Sequence, residues 1–142
     1  MTAALAIGPA DVAFRRAAPN DLPHVLQSWL TSHSRSPGWR HMPRAVYWRG
    51  HHDLIIGILA RSDTTVACAP TNPDAILGWV TTAGEVLHYV HVKPVYRRLG
   101  IARRLLEHLP ERCRYTHKTA IVSELPVPSL WQFDPYPAFG VT

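Results

Sequence analysis

The chain has 142 residues, which is long enough for one domain with a hydrophobic core. Hydrophobic residues make up 46% of it and charged residues 18%, a balance that excludes an intrinsically disordered chain. The net charge is +5, no apolar run reaches the length of a membrane span, and the two cysteines have no paired spacing. We therefore expect a single domain over residues 1–142, in a cytoplasmic protein with no membrane partner.

The first half of the chain predicts one strand and two helices. Residues 12–17 read as a strand, and residues 19–21 then begin a helix, with Asn20 or Asp21 as its cap. Apolar residues at helical spacing continue this helix, namely Leu22, Val25, Leu26, Trp29 and Leu30. A second helix is expected over residues 43–61, where several apolar residues would join the core.

The second half predicts a β meander, a helix and one more strand. The three strands of the meander are separated by turn-forming residues and are expected at residues 64–69, 75–82 and 85–92. The helix has an inner stripe of Ile101, Leu105 and Leu109, and it ends at Pro110. A strand at residues 119–122 is expected to lie parallel to the strand at residues 85–92, through a right-handed crossover.

The C-terminal tail is short and rich in proline. Only 18 residues follow Glu124, and four of them are prolines. A turn of helix at residues 129–133 and a strand at residues 138–141 are the most that fit. The apolar side chains of this tail still need burial, either against the sheet or beneath a second subunit. An exposed strand edge beside apolar residues favours the second subunit, and we expect a homodimer.

The most informative stretch joins the last strand of the meander to the helix. It contains Val92-Lys93-Pro94 followed by Arg97-x-x-Gly100-x-Ala102, a basic turn that opens an amphipathic helix. Five successive backbone N–H groups in this turn can point at one place where a helix dipole begins, which is a cradle for a phosphate or pyrophosphate. Gly100 suits this cradle, because a β-carbon there would hold the anion away from the backbone.

This stretch resembles the acyl-CoA-binding motif of the GCN5-related N-acetyltransferases, the GNAT superfamily, whose pattern is Gln/Arg-x-x-Gly-x-Gly/Ala after Val-x-Pro. The resemblance covers about residues 12–124. It implies an α/β (α+β) fold, in which helices flank a mixed central sheet, with a truncated C-terminal part. It also implies an enzyme, an acyltransferase that moves an acetyl group from acetyl-CoA to a primary amine.

The resemblance also implies which residues bind acetyl-CoA. Backbone groups of Val90 and Val92 would pair with the pantetheine arm as an added strand would, in a gap beside the strand at residues 119–122. A 3′-phosphate would meet Arg97 or Arg103 through charge-assisted hydrogen bonds. The pyrophosphate would meet the amides of the turn, which are those of Arg98, Leu99, Gly100, Ile101 and Ala102.

Acetyl transfer needs a base for the amine proton, a donor to the carbonyl oxygen and an acid for the departing thiolate. His88 is the first candidate base, because serotonin-acetylating members of the family have a histidine at this offset and an imidazole pKa near ~6.5 suits neutral pH. Glu85 is the reserve, one residue from the position of a glutamate in histone-acetylating members. Each of the two is alternatively a solvent-facing polar residue on a half-buried strand.

The candidate acid is Tyr136, which matches no family motif and is alternatively an aromatic side chain packed against prolines. Trp39 and Trp48 lie near the loop that caps the acceptor site in this fold, where they would form a wall for an apolar or aromatic acceptor. The nine histidines lack a metal-binding spacing such as His-Glu-x-x-His, so we expect no metal.

Two other functions stay open. A catalytically weak acyl-CoA-binding protein would have the same cradle without an effective base and acid. Residues 93–118 contain eight of the 15 basic side chains, so an acyltransferase acting on a nucleic-acid-linked amine (DNA, RNA or charged tRNA) is the second alternative. The phosphates of coenzyme A would account for the same local charge.

Overall fold

The computed structural model describes residues 11–119 and 130–141. Within these ranges the chain forms a mixed six-stranded sheet with helices, and the expected α/β fold is confirmed. The strands are β1 (Ala13–Arg16), β2 (Asp63–Ala69), β3 (Asn72–Ala83), β4 (Val86–Val92), β5 (Arg114–Tyr115) and β6 (Gln132–Phe133). The α-helices are α1 (Leu22–Ser34), α2 (Arg44–Ala60) and α3 (Ile101–Leu106).

The strands lie in the sheet in the order of the chain. Strands β1 to β4 pair antiparallel, whereas β5 pairs parallel with both β4 and β6. The register of β4 with β5 aligns Val86 with Arg114 and Leu87 with Tyr115. Because β5 ends at Tyr115, the second half of β4 continues beyond the end of this pairing.

A β-bulge at His88 divides β4 into two halves. Leu87 is aligned with Thr82 on β3, and Tyr89 with the adjacent Thr81, so His88 is an extra residue in the ladder. An extra residue reverses the alternation of side chains between the two faces of a strand. The side chains of β4 before and after His88 therefore follow different registers.

Each face of the sheet has its own hydrophobic core. One core contains Ile101 and Leu105 of α3, packed with Leu87 and Val90 of β4. The other contains residues of α1 and α2, with Tyr89 of β4. Leu87 and Tyr89 would share a face in a regular strand, so their presence in different cores is a direct effect of the bulge.

The start of α1 is close to its predicted position, but its cap works differently. A 3₁₀ turn at Pro19–Asp21 precedes the helix, and Asp21 occupies the N-cap position. Its carboxylate accepts hydrogen bonds from Arg15 Nη1 at 2.6 Å and from the backbone N of Ala18 at 2.7 Å. The hydrogen bond from Arg15 lowers the pKa of Asp21. Asp21 therefore ties β1 to the turn before α1.

The tail differs from its prediction. A strand, β6, lies where a turn of helix was expected at residues 129–133, and a 3₁₀ helix at Tyr136–Phe139 lies where a strand was expected at residues 138–141. β6 is held beside β5 by backbone hydrogen bonds, from Gln132 N to Cys113 O at 2.9 Å and from Asp134 N to Tyr115 O at 3.0 Å. Pro135 and Pro137 fix φ near helical values and have no N–H for strand pairing, which favours the 3₁₀ turn.

Of the strand expected at residues 119–122, residues 120–122 lie outside the described ranges. The strand that pairs parallel with β4 in these ranges is β5, a few residues earlier in the chain. In the described ranges the parallel partner of β4 therefore precedes residue 119. Because β5 has only two residues, the second half of β4 lies beside an opening.

Candidate active site

A cleft of about 510 Å³ opens beyond the paired part of β4 and β5, and we call it the strand cleft. Tyr89, Val90 and His91 of β4 line one side of it, and residues 118–119 line another. The end of α1 and the loop after it complete the lining. The cleft therefore lies beside β4, in the place where an extended molecule could add to the sheet.

The edge of β4 opposite β3 borders the strand cleft, and the backbone groups of Val90 and Val92 point from this edge into the cleft. Lys93 donates its backbone N–H to Leu77 O on β3 at 2.9 Å. Since successive residues of a strand direct their backbone groups to opposite edges, those of Val90 and Val92 point away from β3. Arg97 Nε donates to Val92 O at 3.1 Å and so occupies one acceptor of this edge.

The turn that follows β4 contains two residues in the left-handed region. The φ angle is 66° at Arg98 and 77° at Gly100. Successive amides in such turns form a concave anion-binding nest, and a non-glycine residue at positive φ costs roughly 1–2 kcal/mol. A β-carbon built on Gly100 meets no atom within 4 Å, so the space beside this glycine is open. The anion cradle at this turn stays a prediction, and the two positive φ angles and the open space are the features that bear on it.

The helix after this turn is shorter than predicted. It runs over Ile101–Leu106, and Leu109 follows in a turn in which its backbone N–H donates to Leu106 O at 3.0 Å. A helix of this length has only a small dipole, because the dipole is a sum over aligned peptide units. The amides of the turn itself, together with the exposed Arg98 and Arg103, are the features that suit an anion.

A larger cavity of about 780 Å³ adjoins the strand cleft, and we call it the apolar cavity. It lies between α2, the loop after α1, the residues that follow β5 and the C-terminal 3₁₀ turn. The two cavities share four lining residues, His33, Ser36, Pro37 and Lys118, which we call the junction. Molecules bound in the two cavities would therefore meet at the junction.

Three histidines lie at and beside the junction. The ring of His33 lies 4.9 Å from that of His117 and 5.2 Å from that of His51, measured between centroids. Burial lowers the pKa of His33 to about 4, that of His117 to about 3, and that of His51 as well. All three are neutral at pH 7, and a neutral imidazole has one nitrogen with a free lone pair.

The hydroxyl of Thr116 links His117 to His88. Its Oγ1 lies 2.8 Å from His117 Nδ1, 3.1 Å from His88 Nδ1 and 3.3 Å from His88 O. A hydroxyl has one proton, so all three contacts are hydrogen bonds only if that proton goes to His88 O. Both imidazoles then hold their proton on Nδ1, and Nε2 is the basic nitrogen of each.

Ser36 sets the same tautomer at His33. Its Oγ donates to His33 O at 2.6 Å, so that at 3.4 Å from His33 Nδ1 it can only accept. Nδ1 of His33 then holds the proton, and Nε2 has the lone pair. His33, which lines both cavities, is thus held by Ser36 in the tautomer whose Nε2 is basic.

Tyr89 adds a buried hydroxyl to the strand cleft. Its OH lies 2.8 Å from Ser32 Oγ, and Ser32 Oγ donates to Ser28 O at 2.7 Å. Since the proton of Ser32 is used in that way, Tyr89 donates to Ser32. Burial raises the pKa of Tyr89 to about 12, so this hydroxyl keeps its proton at neutral pH.

The three predicted catalytic residues lie in different surroundings. His88 is buried, and Thr116 and His117 connect it to the apolar cavity. Glu85 is exposed and precedes β4, at the end of the strand away from the cleft. Tyr136 is 63% exposed in the C-terminal 3₁₀ turn. Their positions do not test catalysis, and all three roles stay predictions.

Three residues of the site were missed by the sequence analysis: His33, Tyr89 and His117. A signal existed for His33, which follows Trp29 by four residues and lies on the same buried stripe of α1. The face occupied by Tyr89 depends on the bulge, and His117 follows a strand of only two residues. Neither of these positions has a periodic signal in the sequence.

The described part of the chain lacks the features of a metal site and of a membrane-spanning helix. In residues 11–119 and 130–141, no cluster of three or more His, Cys, Asp or Glu side chains is arranged to hold a metal ion. Across the same residues, no helix has both the length and the apolar character needed to cross a membrane. Cys68 and Cys113 are free thiols, and both are buried.

Comparison with known families gives one match. The model of the family described as Acetyltransferase (GNAT) family matches residues 23–126, which is most of the chain. No curated protein matches the chain.

Solved structures share the fold. One, of histone acetyltransferase HPA2 and related acetyltransferase from Corynebacterium glutamicum, has a TM-score of 0.53 at 16% identity, over 69% of this chain and 69% of that chain. Another, the apo-form of YjaB from Escherichia coli, has a TM-score of 0.52 at 21% identity, over 68% of this chain. The match covers 63% of the length of YjaB. Identities this low show a common fold and no more.

Proposed function

The chain belongs to the GNAT acetyltransferase family, and from this premise we propose that it transfers an acetyl group from acetyl-CoA to a primary amine. The observation that carries the proposal is the junction between the strand cleft and the apolar cavity. A transfer between two substrates requires that their reacting atoms be held together, and two cavities that meet at one place provide this proximity.

In this proposal the strand cleft and the turn after β4 bind the acyl donor. Val90 and Val92 would offer backbone groups to the pantetheine arm, and the amides of residues 98–102 would bind the pyrophosphate. The two positive φ angles and the open space beside the turn fit such an anion. The candidates for the 3′-phosphate are Arg97 and the exposed Arg103. The hydrogen bond of Arg97 to Val92 O uses Nε, so it does not involve the two Nη groups.

The reaction forms a C–N bond and breaks the C–S bond of the thioester. The amine nitrogen attacks the carbonyl carbon and gives up one proton, and the departing thiolate takes up one proton. The lone pairs on Nε2 of His33 and His117 are further candidates to accept the amine proton, because both imidazoles are unprotonated at neutral pH. Tyr89 is a candidate donor to the thiolate in addition to the predicted Tyr136, because it lines the strand cleft in its protonated form.

His88 remains our predicted base, and its Nε2, the nitrogen that does not face Thr116, would accept the proton. Replacing His88 by glutamine is expected to lower kcat by about 10²-fold, the usual scale for losing a general base. Glutamine retains a hydrogen-bonding group for Thr116 but does not accept a proton at neutral pH. The KM for acetyl-CoA should change little. Steady-state rates of thiol release at neutral pH measure both constants.

The pH dependence of kcat separates a catalytic from a structural role of His88. Burial lowers the pKa of His88 to about 4, so kcat of the parent, expressed per molecule that circular dichroism shows to be folded at each pH, should fall only as the pH drops toward that value, where the base becomes protonated. The matched control is His108→Gln, at an exposed histidine in the turn after α3. Parental kcat in His88→Gln would transfer the role to Glu85 or to an unassisted water.

Two alternatives are resolved by binding experiments. A catalytically weak acyl-CoA-binding protein would bind acetyl-CoA and acetylate no amine. Acyl transfer to a nucleic-acid-linked amine is favoured by the basic residues 93–118, of which Arg98 and Arg103 are exposed beside the turn. If coenzyme A displaces DNA and RNA, the basic surface is the donor site. If both bind together, the acceptor is linked to the nucleic acid.

We also propose that the protein is a homodimer. Part of the tail packs on its own chain, where Ala138 is buried, but Phe133, Tyr136, Phe139 and Val141 are between 43% and 64% exposed. Removing such side chains from water contributes about 1.5–3 kcal/mol for each one fully buried. Light scattering at micromolar concentration should give twice the mass of the chain. A monodisperse monomer would contradict the proposal.

A further inference from the structure

We infer that the acceptor is a primary amine on a bulky apolar group, best an aromatic one, with no second positive charge. This inference rests on the proposed function and names the substrate class of the same site. It depends on the lining of the apolar cavity, on the charges near that lining and on the histidines that the cavity contains.

The shape and lining of the apolar cavity suit a bulky apolar molecule. Its volume of about 780 Å³ lies within the range of roughly 300–1,000 Å³ of small-molecule sites in proteins. Side chains of α2, of the loop before it and of the tail contribute its apolar surface, among them Trp39, Met42, Leu54, Phe133 and Phe139. Aromatic rings at two sides offer stacked or edge contacts to an aromatic acceptor.

The charges on the described lining of the cavity disfavour an acceptor with several ammonium groups. Among the described residues that line it, Lys118 is the only one with a formal charge, and none has a carboxylate. The Nζ of Lys118 lies 4.6 Å from the centroid of the Phe133 ring, so a positive charge already lies against the aromatic wall. A second ammonium group would lose its water here without gaining a counter-ion.

The polar groups of the cavity can accept hydrogen bonds from the single amino group of such an acceptor. His33, His51 and His117 line it, and as neutral imidazoles they accept hydrogen bonds from N–H groups without supplying a negative charge. His51 is fixed in place, because its ring stacks on Tyr47 at 4.5 Å and meets the edge of Trp39 at 4.4 Å. His33 lies at the junction, so an amine that bonds to it is next to the strand cleft.

The acceptor class can be tested with the full chain, acetyl-CoA and one amine at a time, with release of thiol as the readout. We expect kcat/KM for tryptamine and 2-phenylethylamine to exceed that for ethanolamine and for spermidine by about 10²-fold, the scale of burying one aromatic ring. A higher kcat/KM for spermidine, or for a peptide containing lysine, overturns the inference.

A charge placed in the cavity gives a second test. Val46 lines the cavity from α2 and is 44% exposed, so Val46→Asp introduces a carboxylate that the fold can tolerate. We expect kcat/KM for 2-phenylethylamine to fall about 10-fold and that for spermidine to rise, since a buried ammonium then gains a counter-ion. The matched control is Ile56→Asp, on the same helix and 46% exposed, which is outside the lining and should change neither constant. Equal effects of both substitutions overturn the inference.

Calorimetry separates a failure of this inference from a failure of the proposed function. Titration with acetyl-CoA tests the donor site without an amine, and titration with 2-phenylethylamine tests the apolar cavity without a donor. No binding of acetyl-CoA overturns the proposed function. Binding of acetyl-CoA together with tighter binding of spermidine than of 2-phenylethylamine overturns only the substrate class. Binding of 2-phenylethylamine without acetylation of any amine supports the cavity's ligand class and overturns acyl transfer.

Discussion

Replacing Gly100 by glutamate is expected to abolish the binding of acetyl-CoA while the chain stays folded. The new side chain would enter the open space beside the turn, and its carboxylate would repel the pyrophosphate that the turn amides are proposed to bind. Like charges in contact cost several kcal/mol, so Kd should rise by more than about 10²-fold. The φ angle of 77° at Gly100 adds strain of roughly 1–2 kcal/mol, which is small beside the stability of a domain. Isothermal titration calorimetry measures the change in Kd.

The matched control for this experiment is Gly84→Glu. Gly84 also has a positive φ, of 57°, and a β-carbon built on it also meets no atom within 4 Å. It lies in the turn between β3 and β4, at the end of β4 opposite to the turn that contains Gly100. The melting temperatures of both variants should fall by similar amounts, and only Gly100→Glu should lose affinity for acetyl-CoA. Parental affinity in folded Gly100→Glu would remove the turn from the donor site.

Acidification is expected to unfold the protein as the pH falls from about 6.5 toward 4. Burial lowers the pKa of His33 and of His88 to about 4 and that of His117 to about 3. In this window the unfolded chain takes up protons that the folded chain excludes, so stability is complete above pH 6.5 and is lost below it. A lowering of the pKa from 6.5 to about 4 corresponds to about 3 kcal/mol for each histidine. The free energy lost on protonating two such histidines therefore approaches the free energy of unfolding of a typical domain.

Denaturant titrations at a series of pH values measure this effect as a change in the free energy of unfolding. His117→Gln should make the curve shallower between pH 6.5 and 4, because one buried proton acceptor is removed. His108→Gln changes an exposed histidine outside the cluster and should leave the shape of the curve unchanged. A free energy of unfolding that stays constant over this range would show that the cluster takes up protons without unfolding.

Local patterns were sufficient to predict the long elements. The helix expected over residues 43–61 is Arg44–Ala60, and the strand expected over residues 85–92 is Val86–Val92. In α2 the buried side chains recur every three or four residues, and this stripe outweighs the low helix propensity of Gly50. The positive φ at Gly100 also follows from a local pattern, because glycine is the residue that most readily adopts this conformation.

The cluster of histidines had no such local pattern. His33 comes from α1, His51 from α2 and His117 from the residues after β5, so only the tertiary fold brings their rings together. The shifted pKa values depend on the same burial and cannot be read from residue types alone. The tail was mispredicted for another reason, since hydrogen bonds with β5 made a strand of β6 where its short sequence suggested a helical turn.

The bulge at His88 makes β4 tolerant of one change in chain length, which is the loss of the extra residue itself. Leu87 O accepts a hydrogen bond from the backbone N of Thr116, which follows β5, whereas Lys93 N donates to Leu77 O on β3. The extra residue between them therefore exchanges the two edges of the strand. Deleting His88 would make Leu87 and Tyr89 adjacent and restore a regular alternation, with each of the two side chains still facing its own hydrophobic core. We therefore expect homologous chains to lose a residue at this position more readily than elsewhere in β4, where a single-residue deletion would turn every later side chain of the strand to the opposite face.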